Sequence, residues 1–373
     1  MAGTAPSRRP VLAAFFAFGM LWGAWAALLP STQRATGVSK GELGIALLFV
    51  GLGSLPAMAS VGLLVDRYGA VVLPVSLAAL AGAAVLPSFA GSLLALSAAL
   101  LVLGAASGAA DVAINAEVAA LEAATQRTFM PLAHALFSAG VLLGAVGSGG
   151  ARQLGAGRVA VLGTLAVVLA AIAWANRRPY PRLAEAAPRR RQIGRALVFL
   201  GAVCALAFCI EGGIENWSAL FLERELGAPP AVSALGPGAY AVAMVAGRLS
   251  AQWLNRRVGD RLLLGAGGCV SVLGLLTASV AGSAALAIPA FFVAGIGVSF
   301  AAPLLFGAAG RGASDAERGA SVATVTTLGY LGFLAGPPIV GAVAEAAGIR
   351  ASFVLLAGAA AALAVAAPRL QLR

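Results

Sequence analysis

A chain of 373 residues that is 60% hydrophobic and only 10% charged has too little polar surface to cover a water-soluble globule, for which about 45–50% apolar and about 25% charged residues are usual. Its net charge of +11 does not mark a nucleic-acid binder, because the bases sit singly in short joints between apolar runs and build no basic face with interleaved aromatics. Cys204, Cys209 and Cys269 all lie inside apolar runs, which reads as packing and not as a disulfide framework.

Splitting the chain at its charged and turn-rich joints leaves twelve apolar segments, near 11–30, 41–64, 71–89, 93–119, 130–151, 157–175, 196–222, 231–252, 262–281, 284–309, 318–343 and 350–367. A helix needs about 20 residues to cross roughly 30 Å of hydrocarbon, so an all-α, multi-pass membrane protein is expected. The first segment follows Arg8 and Arg9 and ends in Ala24-Trp25-Ala26, as a signal peptide would. Its apolar run of about 20 residues exceeds the 7–15 of such peptides, and it is taken as a spanning helix. Trp22, near its centre, is placed to stack on a flat face of a solute, whereas Trp25 reads as an interfacial anchor.

After the second segment comes GLLVDRYGA, 62–70. Gly62 is expected where two helices meet, Asp66 and Arg67 at the membrane surface, and Gly69 in a tight turn. A degraded copy, WLNRRVGDR at 253–261, keeps Arg257 and Gly259 but has no acid before them.

The fourth segment carries GAADVAINAE, 108–117, in which Asp111 stands four residues before Asn115 on one helix face. An ionisable residue inside the hydrocarbon costs about 2.5–3.5 kcal/mol on insertion scales, so it is expected to face a cavity and to have a task. A carboxyl in a gated cavity can take a proton from one side and release it on the other. Asn115 adds donors and an acceptor suited to a hydroxyl- or amide-bearing solute. On the fifth segment His134, the only histidine, and Ser138 share a face at the same spacing.

The longest polar interruption, NRRPYPRLAEAAPRRRQIGR at 176–195, separates six segments from six. It reads as a linker between a bundle at 1–175 and another at 196–373. With both ends and the linker inside, 19 of the 25 bases fall on the inner side, which sets a cytoplasmic orientation by the positive-inside rule. The halves also match at an offset near 192. Gly140, Gly144, Gly149 and Arg158 correspond to Gly332, Gly336, Gly341 and Arg350, and WAALL at 25–29 to WSALF at 217–221. Duplicated bundles of this kind suit rocking about a central site.

The seventh segment holds CIEGGIENWSALF, 209–221. Glu211 lies near its middle, with Glu215 one turn outward on the same face. The pair suggests a cationic or polyhydroxylated ligand or a second proton site. Asn216 and Trp217 are candidate cavity residues, and Gly212-Gly213 is a candidate bend.

These features together resemble the major facilitator superfamily, whose loop between helices 2 and 3 is similar to Gly62-x-x-x-Asp66-Arg67-x-Gly69. The resemblance implies twelve helices in two pseudo-symmetric bundles and a latch role for Asp66, Arg67 and their counterparts. DVAIN at 111–115 followed by LAHALFSAG at 132–140 is similar to helices 4 and 5 of fucose-permease-type proton-coupled sugar symporters and related bacterial permeases. That likeness implies a proton-handling carboxylate at Asp111, a substrate amide at Asn115 and a polar contact at His134, where a histidine replaces the amide. Expected, then, is a secondary transporter of a small polar solute in the inner membrane, a monomer with both termini cytoplasmic, coupled to protons and using no metal or cofactor. A drug or metabolite antiporter would need the same acids. An intramembrane hydrolase built on Asp111, His134 and Ser138 lacks a nucleophile elbow, and no phosphate-cradling loop supports ATP-driven pumping.

Overall fold

The computed structural model describes residues 8–177, 194–314 and 317–370 and, within them, every side chain except those of Gln252 and Arg256. Apart from its first and last two residues, the linker expected at 176–195 lies outside the described residues. The helices are α1 (Arg9–Thr36), α2 (Lys40–Tyr68), α3 (Val72–Ala84), α4 (Leu93–Thr125), α5 (Met130–Gln153), α6 (Arg158–Ala175), α7 (Arg195–Arg224), a single turn α8 (Pro230–Ser233), α9 (Leu235–Val258), α10 (Asp260–Val280), α11 (Ala284–Val298), α12 (Ala301–Arg311), α13 (Arg318–Ala347) and α14 (Ile349–Ala366).

Among the described residues, eleven helical stretches are long and apolar enough to cross a membrane. One of them, Lys40–Phe89, runs 50 residues, which at 1.5 Å per residue is about 75 Å and so length for two crossings. It contains two of the expected segments, α2 and α3, joined at Gly69, whose φ of 61° is the left-handed conformation that a residue without a Cβ adopts readily. The tenth expected segment is instead divided into α11 and α12 at Ser299 and Phe300. Pro303 explains the break, because a proline cannot donate to the carbonyl four residues earlier, here Ser299, and its ring crowds that carbonyl.

The chain divides into two compact units, the first formed by 1–38 with 49–185 and the second by 39–48 with 186–373. In the first, α1 packs on α5 and α6, and α3 on α4 and α6. Glycines allow the closest crossings. A Cβ on Gly19 would lie 2.0 Å from the Phe137 carbonyl oxygen, and one on Gly140 2.1 Å from that of Phe16. Likewise Gly53 and Gly104 bring α2 and α4 to backbone contact, and Ser54 Oγ donates across to the Gly104 carbonyl at 2.9 Å. Helices embedded in lipid associate through such small residues, since apolar side chains gain little by leaving lipid for protein.

The second unit repeats the pattern, with α7 on α13 and α14, and α10 on α11 and α14. Its tightest approach to backbone is at Gly332, where a Cβ would sit 2.0 Å from the Ala205 carbonyl oxygen. The stretch Ser39–Leu48, the start of α2, also belongs here, a grouping that a cut at residue 176 does not anticipate. Gly44 meets the Pro337 carbonyl and Gly341 backbone closely, the Gly41 N–H donates to Glu345 at 3.1 Å, and Lys40 pairs with Glu225 at 2.8 Å.

Two arginines mark the duplication in three dimensions. Arg158 donates to the Pro87 carbonyl and Arg350 to the Ser279 carbonyl, each acceptor 71 residues earlier in the chain. Both donors and both acceptors are thus related by the same offset of 192 that the glycines follow.

Candidate functional site

In the first unit the polar residues of α4 come together as their spacing predicts. Asp111 is two residues past the midpoint of a helix that runs from Leu93 to Thr125 without interruption. The Asn115 side-chain nitrogen donates to Asp111 Oδ1 at 3.0 Å and to the Asp111 backbone carbonyl at 2.9 Å. Both residues are half-buried. The arrangement holds the carboxyl against its own helix.

The companions proposed on α5 are placed differently. His134 is exposed, and its ring meets Phe15 edge-on with centroids 5.3 Å apart. Ser138 is buried, and its hydroxyl donates back to the His134 carbonyl at 3.1 Å. That internal bond uses the hydroxyl's one proton, and burial leaves Ser138 little surface to offer a solute.

A further acid lies on the same helix as Asp111. Glu117, two residues past Asn115, is 8% exposed, and its Oε1 is buried without a hydrogen-bond partner. Its only signal was to be a third polar residue in the same apolar stretch.

In the second unit α7 is continuous through Gly212 and Gly213, so the helix is not unwound there. The glycines serve packing, because a Cβ on Gly213 would lie 2.4 Å from Leu356 Cδ1 and one on Gly212 3.1 Å from the Phe333 ring. Glu211 is buried, while Glu215 and Asn216 are half-buried. The Asn216 nitrogen donates to the Gly212 carbonyl at 2.8 Å. Two partners of Glu211 come from α9: the Tyr240 hydroxyl donates to Oε2 at 3.2 Å, and an Arg248 nitrogen lies 3.7 Å from the same oxygen.

The spacing along α7 points to neither partner. Arg248 is one of the 19 bases that the charge bias assigns to the inner side, but α9 continues ten residues beyond it, to Val258, so the guanidinium projects from a helix interior toward the acid. The repeat of Tyr240, Met244 and Arg248 at a spacing of four was the available clue.

The tryptophans also differ from expectation. Trp217 is 0% exposed and Trp25 1% exposed, and they stand 192 positions apart. Both are sealed in helix packing, which excludes Trp25 as an interfacial anchor and leaves Trp217 no surface to offer a solute. Trp22 is half-buried.

The loop motifs hold in part. A Cβ on Gly62 would meet nothing within 4 Å, so no helix crossing requires that glycine. Asp66 and Arg67 are exposed, with the guanidinium 5.3 Å from the Tyr68 ring centroid. In the second copy Gly259 has φ 78° and immediately precedes α10, and Arg257 lies 4.1 Å over the Trp253 ring. The acid missing before that motif stands directly after it: Asp260, 3% exposed, pairs with Arg311 at the end of α12. Among the described residues no group of three His, Cys, Asp or Glu is placed to hold a metal ion.

The acids do not follow the duplication. Applying the offset, Asp111 falls on Pro303 and Asn115 on Gly307, while Glu211 and Glu215 fall on Gly19 and Gly23. Helix-packing positions repeat; chemical positions are specific to each unit.

Comparison with known proteins agrees with this architecture. The sequence pattern of the Major Facilitator Superfamily matches residues 11–332 and 206–373. The chain is 33% identical over 355 residues to an uncharacterized MFS-type transporter of Yersinia pestis, covering 91% of this chain and 89% of that one. It is 29% identical over 343 residues to the membrane protein MosC of Rhizobium meliloti, covering 90% and 83%. Among solved structures, the nucleoside transporter NupG superposes with a TM-score of 0.78 at 15% identity over 97% of this chain and 98% of that one. A bacterial homolog of the human lysosomal transporter Spinster gives 0.77 at 16% identity over 99% and 98%. With its helices, its internal repeat and these relatives in agreement, the chain belongs to the Major Facilitator Superfamily and is a multi-pass membrane transporter, not an enzyme.

Proposed function

We propose that this transporter moves a small polar solute across the inner membrane by alternating access, coupled to protons and in the direction of import, with both termini and the linker in the cytoplasm. The observation that carries the reading is Asp111, an acid near the midpoint of an otherwise apolar helix, held at 3.0 Å by Asn115 and half-buried. An acid is expensive at such a depth and is retained there for ion or substrate handling. Glu211 and Glu215, close to the midpoint of α7, give the second unit acids of its own.

Coupling by a carboxylate fits a chain whose 25 bases are distributed as a topology signal and which has no loop for nucleotide phosphates. Asn115, His134, Trp22, Glu215 and Asn216 are the candidate solute contacts, since each is half-buried or exposed and carries a donor, an acceptor or an aromatic face. A pH jump applied to reconstituted vesicles tests the reading. Inward accumulation of a labelled solute on external acidification supports import by symport. Release of a preloaded solute under the same jump reverses the direction, and flux indifferent to pH removes the coupling.

A further inference from the structure

The charges around α7 do not balance. Glu211, Glu215 and Arg248 interact electrostatically, and Tyr240 contributes a neutral phenol. Two carboxyls against one guanidinium leave a single negative charge when both are ionised, and an uncompensated charge in a protein interior is costly. A proton on either carboxyl, or a bound monovalent cation, would balance the cluster.

The geometry locates where that group attaches. Glu211 is 6% exposed, and both of its contacts fall on one oxygen, Oε2. Arg248 lies at 3.7 Å, beyond the 2.7–3.2 Å typical of an N–H···O bond. The other oxygen, Oε1, is buried and meets no donor from the protein, although an ionised carboxylate has about four acceptor sites. A proton placed there cancels the charge but creates an O–H that itself needs an acceptor. A ligand N⁺–H cancels the charge and supplies the missing donor with one group.

A second, independent feature lies one turn earlier on α7. Phe208 is stacked on Phe333 with centroids 4.6 Å apart and planes at 24°, and it contacts Tyr330 at 5.7 Å and Phe306 at 6.4 Å. Phe306, Tyr330 and Phe333 are each half-buried, so the protein leaves part of every one of these rings uncovered. Residues 208, 211 and 215 fall on one helix face by their spacing of three and four. Open aromatic faces beside a carboxylate are the combination that attracts an organic cation, through the ring quadrupole and through dispersion with its apolar body.

We propose that this face of the second unit binds a monovalent organic ammonium carried on a ring or compact alkyl body, with the N⁺–H on Glu211 Oε1, Glu215 as the second acidic contact, and the body against Phe333, Tyr330 and Phe306. The inference rests on the reading of the chain as a carrier of a small polar solute and names the class of that solute. Arg248 limits the excess to one negative charge and so disfavours divalent cations.

The test uses the purified full-length protein in lipid nanodiscs and three probes of one shape: phenethylamine (cationic), 2-phenylethanol (neutral) and phenylacetate (anionic), with galactose as a neutral polyol. The expected result is saturable binding of phenethylamine by calorimetry, with at least tenfold weaker binding of the other three. Glu211→Gln is expected to weaken the amine at least tenfold, and Phe333→Ala several-fold. The comparison among probes needs no variant, so it stands even where a substitution impairs folding. Equal binding of the amine and its alcohol, binding of galactose without the amine, or amine binding unchanged in both variants overturns the assignment. The two readings also fail separately. Amine binding with no pH-driven flux supports this site and counts against proton coupling, whereas pH-driven uptake of a neutral solute by a protein that ignores amines does the reverse.

Discussion

Asn115 donates its side-chain nitrogen to Asp111 Oδ1 at 3.0 Å and to the Asp111 backbone carbonyl at 2.9 Å, so one amide ties down both the acid and the turn of α4 that bears it. The two residues divide the work of a coupled carrier in a testable way. Asp111→Asn keeps the shape and removes the proton site. It is expected to cut accumulation driven by a pH gradient at least tenfold, while exchange of labelled for unlabelled solute at equal concentrations continues. Asn115→Ala keeps the proton site and loses a neutral hydrogen bond of about 0.5–1.5 kcal/mol, which corresponds to solute affinity about 2- to 10-fold weaker. Gradient-driven accumulation by Asp111→Asn at the parent's level removes the carboxyl from the mechanism.

The glycine crossings yield a contrast that needs no knowledge of the solute. A Cβ on Gly332 would lie 2.0 Å from the Ala205 carbonyl oxygen, and one on Gly140 2.1 Å from that of Phe16, whereas one on Gly62 meets nothing within 4 Å. Backbone oxygens in a packed helix cannot move aside as a side-chain tip can. Gly332→Ala and Gly140→Ala are therefore each expected to destabilise by about 1–3 kcal/mol or more through overpacking. Gly62→Ala is expected to be neutral or to stabilise by up to about 1 kcal/mol through helix propensity. Thermal unfolding in detergent reads the order directly, and a Gly62 variant less stable than a Gly332 variant would contradict it.

What the sequence made legible, and what it hid, follows one physical line. Segment lengths are imposed by bilayer thickness, so the expected segment 93–119 anticipates α4, and the offset of 192 anticipates the shared bonds of Arg158 and Arg350. Spacing along one helix is equally legible, and so Asp111 and Asn115 meet. Which way a helix is rotated, and where it ends beyond the apolar run, is decided by neighbours that one sequence does not display. For that reason the spacing does not show that Arg248 reaches Glu211, that Trp25 is sealed rather than interfacial, or that Gly212-Gly213 packs against Phe333 and Leu356. Pro303 is the exception, a break written in the sequence itself inside a long apolar run.

Asp260 and Arg311 form the ion pair at the second copy of the loop motif. Asp260 is 3% exposed and opens α10, where a negative charge is favoured by the helix dipole, and Arg311 lies in the last turn of α12, where a positive one is. Removing the arginine leaves a buried carboxylate without its cation. Since the Arg311 side chain is 44% exposed, water offsets part of the loss, and Arg311→Ala is expected to cost about 1–3 kcal/mol. Arg257, stacked 4.1 Å over Trp253, is worth about 0.5–1 kcal/mol as an exposed cation–π contact. A melting shift for Arg257→Ala equal to or larger than that for Arg311→Ala would place the weight of the motif on the wrong arginine.

Arg158 and Arg350 occupy equivalent positions but not equal surroundings. Each donates to a carbonyl at the end of a helical stretch, where the last turn lacks partners of its own, yet Arg350 does so at 2.8 Å and Arg158 at 3.4 Å. Arg350 also lies 5.2 Å from the Phe221 ring centroid. That ring belongs to a buried trio with Phe291 and Phe353. The second unit should therefore depend more on its arginine than the first. Arg350→Ala is expected to cost about 1–3 kcal/mol, from a charge-assisted hydrogen bond plus the ring contact, and Arg158→Ala about 0.5–1.5 kcal/mol. Arg350→Lys should recover only part of the loss, because a single ammonium cannot both donate to the Ser279 carbonyl and lie flat against Phe221 as a planar guanidinium does. Equal melting shifts for the two alanine variants would mean that the ring contact contributes nothing and that the duplicated bond is worth the same in both units.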